Sequence, residues 1–234
     1  MLQLPRVDVH ASVSSTLDVA HTIAPDAPSG TLILADEQTS GRGRHGRRWT
    51  SVPGAGLWLT LIERPTDARA LEVLALRCGL YAAEALDALA RAPIGVKWPN
   101  DLYVEGRKLA GVLIETRWRG TSPEWVAIGF GLNVLAPDLD TATGLAAGTT
   151  RLGALARLVP ALRRAATASR HLSADELARW RQRDVAVDRR VVEPAEGCVS
   201  GIASSGELVI VRDDGSQSLH RTGTLTFERP LACS

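Results

Sequence analysis

Apolar residues at helical spacing mark residues 68–92 as the clearest predicted helix of the chain. The positions that share this spacing are Leu71, Leu74, Ala75, Cys78, Ala82, Ala85, Leu86 and Leu89. Shorter patterns of the same kind predict helices over residues 17–24, 152–168 and 174–185. Serine and threonine residues that suit an N-cap precede the first of these helices, which supports its starting point.

Short apolar runs between polar turns predict the strands. In the first part of the chain they lie at residues 6–10, 31–35, 57–62, 94–98, 109–115 and 125–134. After about residue 188 the pattern changes to short strands at 190–193, 197–203, 208–211, 216–220 and 224–227. This order predicts an α+β fold, with a mixed sheet and helices over residues 1–186 and a small barrel-like β domain over residues 187–234.

Composition adds that the chain can bury a core, because 45% of its residues are hydrophobic and 23% are charged. The net charge of +1 argues against a general nucleic-acid coat, which needs a basic excess. The first residues carry no secretory signal pattern, and no apolar run approaches the roughly 20 residues of a membrane span. We therefore expect a soluble, cytoplasmic protein.

The cysteines indicate the redox compartment of the protein, and the lysines indicate a candidate site. Cys78, Cys198 and Cys233 are widely spaced and form no paired metal-ligand pattern, which predicts ordinary thiols in a reducing compartment. Of the 27 basic residues, only Lys97 and Lys108 are lysines, and the remaining 25 are arginines. A coding bias toward arginine accounts for the general skew. The short segment that holds both lysines nevertheless becomes a candidate site.

A long loop rich in glycine and arginine spans residues 37–53. Its segment 41–46 matches G-x-G-x-x-G, but a poor helix start follows it, and the lysine of a Walker loop is missing. Arginines next to glycines that permit close backbone approach suit an anionic ligand with several oxygens, such as a carboxylate beside a phosphate. A solvated basic loop and an RNA-binding arginine–glycine segment remain alternatives.

The second candidate segment contains Lys97-Trp98-Pro99-Asn100-Asp101 and then Arg107 to Gly111. Pro99 comes where a predicted strand ends, so we expect Asn100 and Asp101 to project from a turn. An Asp with an Asn can hold Mg²⁺ together with nucleotide phosphates, because Mg²⁺ prefers oxygen ligands. Lys108 begins the next predicted strand and can point into the same pocket. An ordinary hairpin with a surface lysine is the alternative.

Together these segments resemble the biotin protein ligases. The matching stretches are Ser15-Thr16 and residues 37–49, 97–102, 107–113 and 129–134. They occur in the family's order and at its spacing, and the Gly-Arg-Gly-Arg loop with Lys-Trp-Pro-Asn-Asp is specific as a pair. The resemblance implies a catalytic domain like that of class II aminoacyl-tRNA synthetases and biotin ligases, followed by a small C-terminal SH3-like β-barrel.

The resemblance implies ATP-dependent ligation of biotin, through biotinyl-5′-adenylate and with Mg²⁺, to a lysine of a biotin carboxyl carrier domain from a biotin-dependent carboxylase. Only fourteen residues precede Ser15. We therefore expect a monofunctional ligase without an N-terminal DNA-binding domain and with no nucleic-acid or membrane partner, and a homodimer is compatible with this reading. The alternatives are a lipoate or octanoate ligase or transferase of the same fold and a non-catalytic arginine-loop RNA-binding module.

The resemblance also implies a role for each matching residue. Biotin binding would involve Ser15, Thr16, Leu17, Gln38, Gly41, Arg42, Gly43, Arg44, Lys108, Gly111, Gly129 and Gly131. Binding of ATP and the adenylate would involve Arg44, Arg47, Trp49, Asn100, Asp101, Lys108 and Asn133. Lys108, Arg44 and Asp101 would be catalytic, and Asp101 would also ligate Mg²⁺. Leu17 departs from the asparagine that the family often has there, and the loop 138–150 has no clear motif, so no residue is assigned in it.

Overall fold

The computed structural model describes residues 4–168, 170–229 and 231, so Cys233 lies outside the described residues. The first elements are β1 (Val7–Val13), α1 (Thr16–Ile23), β2 (Thr31–Gln38), β3 (Gly56–Glu63), α2 (Ala68–Glu72), α3 (Leu74–Leu86), β4 (Gly95–Lys97), β5 (Asp101–Val104), β6 (Arg107–Arg119) and β7 (Ser122–Asn133). They are followed by α4 (Arg151–Thr167), α5 (Ala174–Arg183), β8 (Arg190–Glu193), β9 (Gly197–Ile202), β10 (Leu208–Val211), β11 (Gln217–His220) and β12 (Thr226–Phe227).

Seven strands form the first sheet, in the order β1-β2-β3-β7-β6-β5-β4. Strand β1 runs parallel to β2, whereas the other neighbours are antiparallel, so the sheet is mixed as predicted. The register of β6 and β7 places Gly111 opposite Gly131, and Leu113 opposite Gly129. Glycines of these two consecutive strands therefore lie next to each other in the middle of the sheet.

The prediction of one helix over residues 68–92 was wrong in one respect. The structure has two helices, α2 and α3, because Val73 between them leaves the helical conformation with φ −112° and ψ 5°. A short 3₁₀ turn, Asp87–Leu89, then follows α3. Val73 is fully buried, so the apolar spacing continues across the break. A one-residue interruption hardly changes the helical phase, and periodicity therefore does not reveal it.

The turn predicted at Asn100 and Asp101 is shorter than expected. Asp101 is the first residue of β5, a four-residue strand that pairs with β4 on one side and β6 on the other. Trp98, Pro99 and Asn100 form the turn between β4 and β5. Because Asp101 pairs with both Lys97 and Gly111 through the backbone, its side chain starts from a fixed strand position.

The helices cover the first sheet, and all of them except α3 begin at a polar cap. The side chain of Thr150 accepts a hydrogen bond from Gly153 N at the start of α4, and Ser173 forms a capping box with Glu176 at the start of α5. Helix α4 packs against α3. None of the described helices is long and apolar enough to cross a membrane.

The C-terminal strands form a second, antiparallel sheet in the order β11-β10-β9-β8-β12. This small β unit was predicted, but no pairing among the described residues joins its edge strands β11 and β12. Closure into an SH3-like barrel therefore stays a prediction, as does the domain boundary at 186/187. Val191 and Leu208 belong to the same buried cluster as Leu80 of α3. The two sheets thus share one hydrophobic core.

Candidate functional site

A cavity lies between the central strands of the first sheet, the arginine loop and the C-terminal segment 223–225. Most of the predicted site residues line it, namely Ser15, Thr16, Leu17, Gln38, Arg42, Gly43, Arg44, Arg47, Trp49, Asn100, Asp101, Lys108, Gly111, Gly129 and Gly131. Gly41 and Asn133 are absent from its described lining. The fold therefore brings together residues that are more than one hundred positions apart in sequence.

One end of the cavity carries a polar cluster centred on Gln38. Its Oε1 accepts hydrogen bonds from Thr16 N at 2.9 Å and Thr16 Oγ1 at 3.2 Å, and Ser15 Oγ lies 3.4 Å away. Gln38 Nε2 donates to Ser51 Oγ at 3.2 Å, and Thr60 Oγ1 donates to Thr16 Oγ1 at 2.8 Å. These contacts hold a set of buried donors and acceptors in fixed positions at the N-terminus of α1.

Glycines on β6 and β7 make room for side chains that pack flat on the sheet. A Cβ atom on Gly131 would lie 2.6 Å from Trp49 Cε2, and one on Gly111 would lie 3.1 Å from Trp49 Cζ3. A Cβ atom on Gly129 would lie 3.0 Å from Leu17 Cδ1. Leu17, where the family often has asparagine, is therefore an apolar part of the cavity wall.

The arginine loop folds into a tight hairpin. Trp49 N donates to Gly41 O at 2.9 Å, and Gly43 N donates to Arg47 O at 2.7 Å. A single 3₁₀ turn, Arg44–Gly46, forms the tip, where Gly46 has a φ of +72°. A Cβ atom on Gly41 would lie 2.5 Å from Trp49 O, so this glycine permits the hairpin to close. Its role is in the backbone of the loop, not in the cavity lining.

Two arginines of the hairpin, Arg44 and Arg47, contact the C-terminal segment, but they differ in burial. Arg44 is half-buried, and burial lowers its guanidinium pKa even though the charge of Asp101 raises it. Its Nη1 donates to Gly223 O at 3.4 Å, whereas Arg47 Nη2 donates to Thr224 Oγ1 at 3.3 Å. Arg44 is therefore the hairpin arginine with the most desolvated charge at the cavity.

Arg42 lies at the opposite side of the hairpin and is held by carboxylates. Its Nη2 lies 3.1 Å from Glu115 Oε2 and 3.2 Å from Asp18 Oδ1. Glu115 also contacts His21 Nε2. The charge of Arg42 is consequently balanced by protein carboxylates, so its guanidinium anchors the hairpin to α1 and β6.

Lys108 and Asp101 form an ion pair in the cavity. Lys108 Nζ lies 2.7 Å from Asp101 Oδ1 and 5.2 Å from the centre of the Trp49 ring. Asn100 Nδ2 donates to Val112 O at 2.6 Å, which fixes the turn before Asp101. Burial lowers the pKa of both Arg44 and Lys97, and the charge of Asp101 opposes this lowering in each case. The carboxylate of Asp101 therefore interacts with three cations of the cavity.

Lys97, whose role the sequence left undecided, also lines the cavity. Its Nζ lies 5.0 Å from the centre of the Phe227 ring and 5.5 Å from that of Tyr103. Burial lowers the pKa of Lys97, and the nearby charges of Lys108, Arg47 and Arg189 lower it further, against the opposing effect of Asp101. Both lysines of the chain therefore meet at the same cavity.

Asn133 is buried beneath the loop that follows β7. Its Nδ2 donates to Thr143 O at 3.1 Å, while Thr143 N donates to Lys108 O at 2.9 Å and Lys108 N to Thr141 O at 2.9 Å. Asn133 thus supports the loop segment that pairs with the backbone of Lys108. Asn133 does not belong to the described lining of the cavity, and its predicted place by the nucleotide stays a prediction.

The C-terminal segment Gly223 to Leu225 lines the cavity and was missed by the sequence reasoning. These residues contact an arginine hairpin that lies about 180 positions earlier in the chain, through Arg44 and Arg47. No local pattern of apolar or polar residues predicts such a contact. The sequence assigned this stretch only to a short strand of the β unit.

Comparison with protein families fits this geometry. The sequence pattern described as the biotin/lipoate A/B protein ligase family matches residues 9–133, more than half of the chain. The chain belongs to this family. The matched region ends at Asn133 and so includes the arginine hairpin, both lysines and the glycines of β6 and β7.

Individual relatives show the same similarity. A biotin–[acetyl-CoA-carboxylase] ligase from Paracoccus denitrificans is 37% identical over 132 residues, which cover 55% of this chain and 55% of the relative. The bifunctional ligase/repressor BirA from Bacillus spizizenii is 40% identical over 124 residues, or 52% of this chain. The aligned part spans 38% of that relative's length.

Solved structures extend the similarity of fold to nearly the whole chain. A biotin protein ligase from Aquifex aeolicus, in complex with biotin and ATP, superposes with a TM-score of 0.79 at 24% identity and covers 96% of this chain and 100% of that one. A biotin protein ligase from Leishmania major, in complex with biotinyl-5-AMP, has a TM-score of 0.65 at 25% identity, covering 92% and 98%. The arrangement of both sheets is therefore shared with these structures.

Proposed function

We propose that the chain joins biotin to a lysine of a biotin carboxyl carrier domain, with ATP as the activating substrate. The observation that carries the proposal is the placement of Lys108, Asp101 and Arg44 around one cavity whose other end is the polar cluster at Gln38. The polar ureido ring of biotin fits the donors and acceptors of the cluster at Gln38. The carboxylate of biotin and the α-phosphate of ATP fit the cations at the other end. Family membership supports the same assignment.

In the first step a carboxylate oxygen of biotin attacks the α-phosphorus of ATP. The new C–O–P linkage forms as the bond to the β-phosphate breaks, and pyrophosphate leaves with the electron pair. Two anions must meet for this to happen, and fixed cations offset their repulsion. Lys108 can contact both anions as a compact ammonium, and the half-buried Arg44 holds charge in a desolvated position.

In the second step the neutral ε-amine of the carrier lysine attacks the acyl carbon of biotinyl-5′-adenylate. A C–N bond forms, the bond to the phosphate oxygen breaks, and AMP leaves with the electron pair. The nitrogen becomes cationic as this bond forms, and its one surplus proton passes to water. The hairpin and the segment 223–225 cover the cavity between the two steps, which protects the anhydride from hydrolysis.

Mg²⁺ would enter with the nucleotide. Among the described residues, no group of three or more His, Cys, Asp or Glu side chains forms a metal cage. The acceptors of Asp101 and Asn100 fit a Mg²⁺ ion that takes its other ligands from phosphates and water, as is usual for this metal. When bound, the ion would neutralise phosphate charge, and Asp101 and Asn100 would be the residues that hold it beside the ammonium of Lys108.

Biotin-dependent exchange of pyrophosphate into ATP, measured without any carrier protein, tests this function. We expect exchange with biotin and no exchange with lipoate or octanoate at the same concentration. Exchange supported by lipoate or octanoate and not by biotin would assign the chain to the lipoate branch of its family. If none of the three acids supports exchange, the proposal fails.

A further inference from the structure

A second cavity lies directly beside the first and opens between α2, α3 and the β9–β10 turn. Arg44, Pro99 and Asn100 line both cavities, so the two spaces share a wall at the site where the adenylate would form. The volume of this side cavity is about 180 Å³. Since one water molecule occupies roughly 30 Å³ of liquid, the side cavity has room for a side chain.

The walls of the side cavity are mainly apolar. Leu76 of α3 and Ile114 of β6 contribute aliphatic groups, and the Trp98 indole forms a flat wall. Trp98 Nε1 donates to Gly206 O at 3.0 Å, so this ring is fixed by the β9–β10 turn. The methyl group of Ala75 on α3 also faces this space. An unbranched aliphatic stem suits such walls.

The mouth of the side cavity is charged. Glu72, exposed at the end of α2, is the carboxylate among the described lining residues. Arg221 Nη1 lies 2.6 Å from Glu72 Oε2 and also contacts Glu207, so the charge of Arg221 is already balanced by protein. Two carboxylates, Glu72 and Glu207, therefore face the single guanidinium of Arg221, and the mouth keeps one negative charge in surplus. The inner end is positive, because Arg44 lines both cavities and Lys97 and Lys108 line the main one. A cation that approaches the adenylate is thus attracted at the mouth.

We infer that the side cavity is the entry channel for the acceptor lysine of the carrier protein. This inference rests on the proposed function and names the route of its second substrate. The lysine stem would lie along Leu76, Trp98 and Ile114 after the ammonium has passed Glu72. Transfer from water into an apolar channel lowers the pKa of the lysine ammonium. The channel therefore favours the neutral amine that the second step requires.

Two substitutions test the channel. Ala75→Leu adds volume to its wall with a residue that still favours a helix, and Glu72→Gln removes the charge at its mouth. The matched control is Ala178→Leu, the same change at an exposed position of α5 outside the described lining of both cavities.

Three rates are compared for each variant. The first is biotin-dependent pyrophosphate exchange. The second is transfer of biotin from the enzyme-bound adenylate to a recombinant biotin carboxyl carrier domain of an acetyl-CoA carboxylase, and the third is transfer of the same biotinyl group to hydroxylamine.

We expect each channel variant to slow transfer to the carrier domain by about tenfold, while exchange and transfer to hydroxylamine stay within about twofold of wild type. Hydroxylamine is small enough to reach the adenylate without the channel. The control variant should match wild type in all three rates. If Ala75→Leu unfolds on heating at a much lower temperature than wild type, Glu72→Gln at its exposed position decides the test.

Unchanged transfer to the carrier domain in both variants would overturn the inference. A parallel loss of exchange would also overturn it, because the side cavity would then serve the nucleotide or pyrophosphate. An equal loss with hydroxylamine would overturn it as well, because the substitutions would then act on the adenylate itself. Absence of biotin-dependent exchange in the wild-type protein is a separate result, which would defeat the proposed function.

Discussion

At the scale of single residues, Lys108 and the glycines of β6 and β7 have the clearest physical roles. Lys108 is paired with Asp101 at 2.7 Å and also faces Trp49, so its ammonium is held at the centre of the cavity. Gly131 and Gly111 allow the Trp49 ring to lie on the sheet. We therefore expect a larger side chain at either glycine to displace the Trp49 ring.

Replacing Lys108 should impair adenylation without unfolding the protein. We expect Lys108→Ala to lower biotin-dependent pyrophosphate exchange by roughly 100-fold or more, because a charge-stabilising donor is lost at the reacting atoms. Lys108→Arg should not restore the rate, since a planar guanidinium cannot occupy the place of an ammonium between Asp101 and Trp49. Wild-type exchange in Lys108→Ala would remove this residue from the mechanism.

A methyl group at Gly131 should displace Trp49. The added Cβ would lie 2.6 Å from the indole, so we expect Gly131→Ala to lower the free energy of unfolding by about 1–3 kcal/mol, as for an overpacked core. Gly79→Ala is the control, because its Cβ would meet only Leu102 Cδ2, at 3.8 Å, inside helix α3. That variant should gain up to about 1 kcal/mol from helix propensity. Urea unfolding of both variants measures the difference.

At the scale of secondary-structure elements, a buried ion pair joins α3 to the start of α5. Arg77 is 1% exposed, and its Nε donates to Glu176 Oε1 at 2.6 Å. Burial by itself would raise the pKa of Glu176, but hydrogen bonds from Arg77, Ser173 N and Tyr81 together lower it to about 2. The same carboxylate completes the capping box of α5. One side chain therefore sets both the start of this helix and its docking.

Removing this carboxylate should leave a buried arginine without its charge partner. We expect Glu176→Ala to reduce the free energy of unfolding by about 3–5 kcal/mol. The neighbouring Asp175, which pairs with Arg179 on the surface, provides the contrast: Asp175→Ala should cost only about 0.3–0.5 kcal/mol. Chemical denaturation of the two variants distinguishes them, and equal losses would contradict a special role for the buried pair.

At the scale of the whole molecule, the junction between α5 and the C-terminal sheet contains a buried carboxyl group. Asp184 is 7% exposed and accepts hydrogen bonds from Trp180 Nε1 at 3.2 Å and Ala186 N at 2.9 Å. Burial raises its pKa to about 6, although both hydrogen bonds oppose this change. The next residue, Val185, donates its N–H to Val96 O and so attaches this junction to the first sheet.

The raised pKa of Asp184 makes the stability of this junction depend on pH. The folded state favours the protonated carboxyl, so its stabilising contribution is complete below the ordinary pKa of 3.8 and is lost as the pH rises through about 6. Asparagine does not ionise. We therefore expect Asp184→Asn to become more stable relative to wild type as the pH rises from about 4 to about 7.5.

Urea unfolding at several pH values across that range measures this relative stability. Asp188→Asn is the control, because the side chain of Asp188 is 78% exposed and loses little hydration on folding. Its stability relative to wild type should stay nearly constant. A constant difference for Asp184→Asn as well would show that this carboxyl ionises equally in the folded and unfolded protein.

Local patterns were sufficient for most of the secondary structure. Strands β3, β7 and β10 and helices α4 and α5 lie close to their predicted bounds, because their apolar residues repeat at the period of the element they form. The break at Val73 was missed since a buried residue preserves the apolar spacing. Strand β5 was missed because its polar first residue, Asp101, follows a proline and an asparagine that are typical of turns.

The sequence by itself determined the chemistry: which cations, carboxylate and glycines are available, in an order specific enough to indicate the ligase family. Tertiary structure alone decided which of them share a cavity. It placed Lys97 at the cavity and brought Gly223 and Thr224 onto the arginine hairpin. These outcomes depend on strand register and on packing between distant segments, and local spacing contains no information on either.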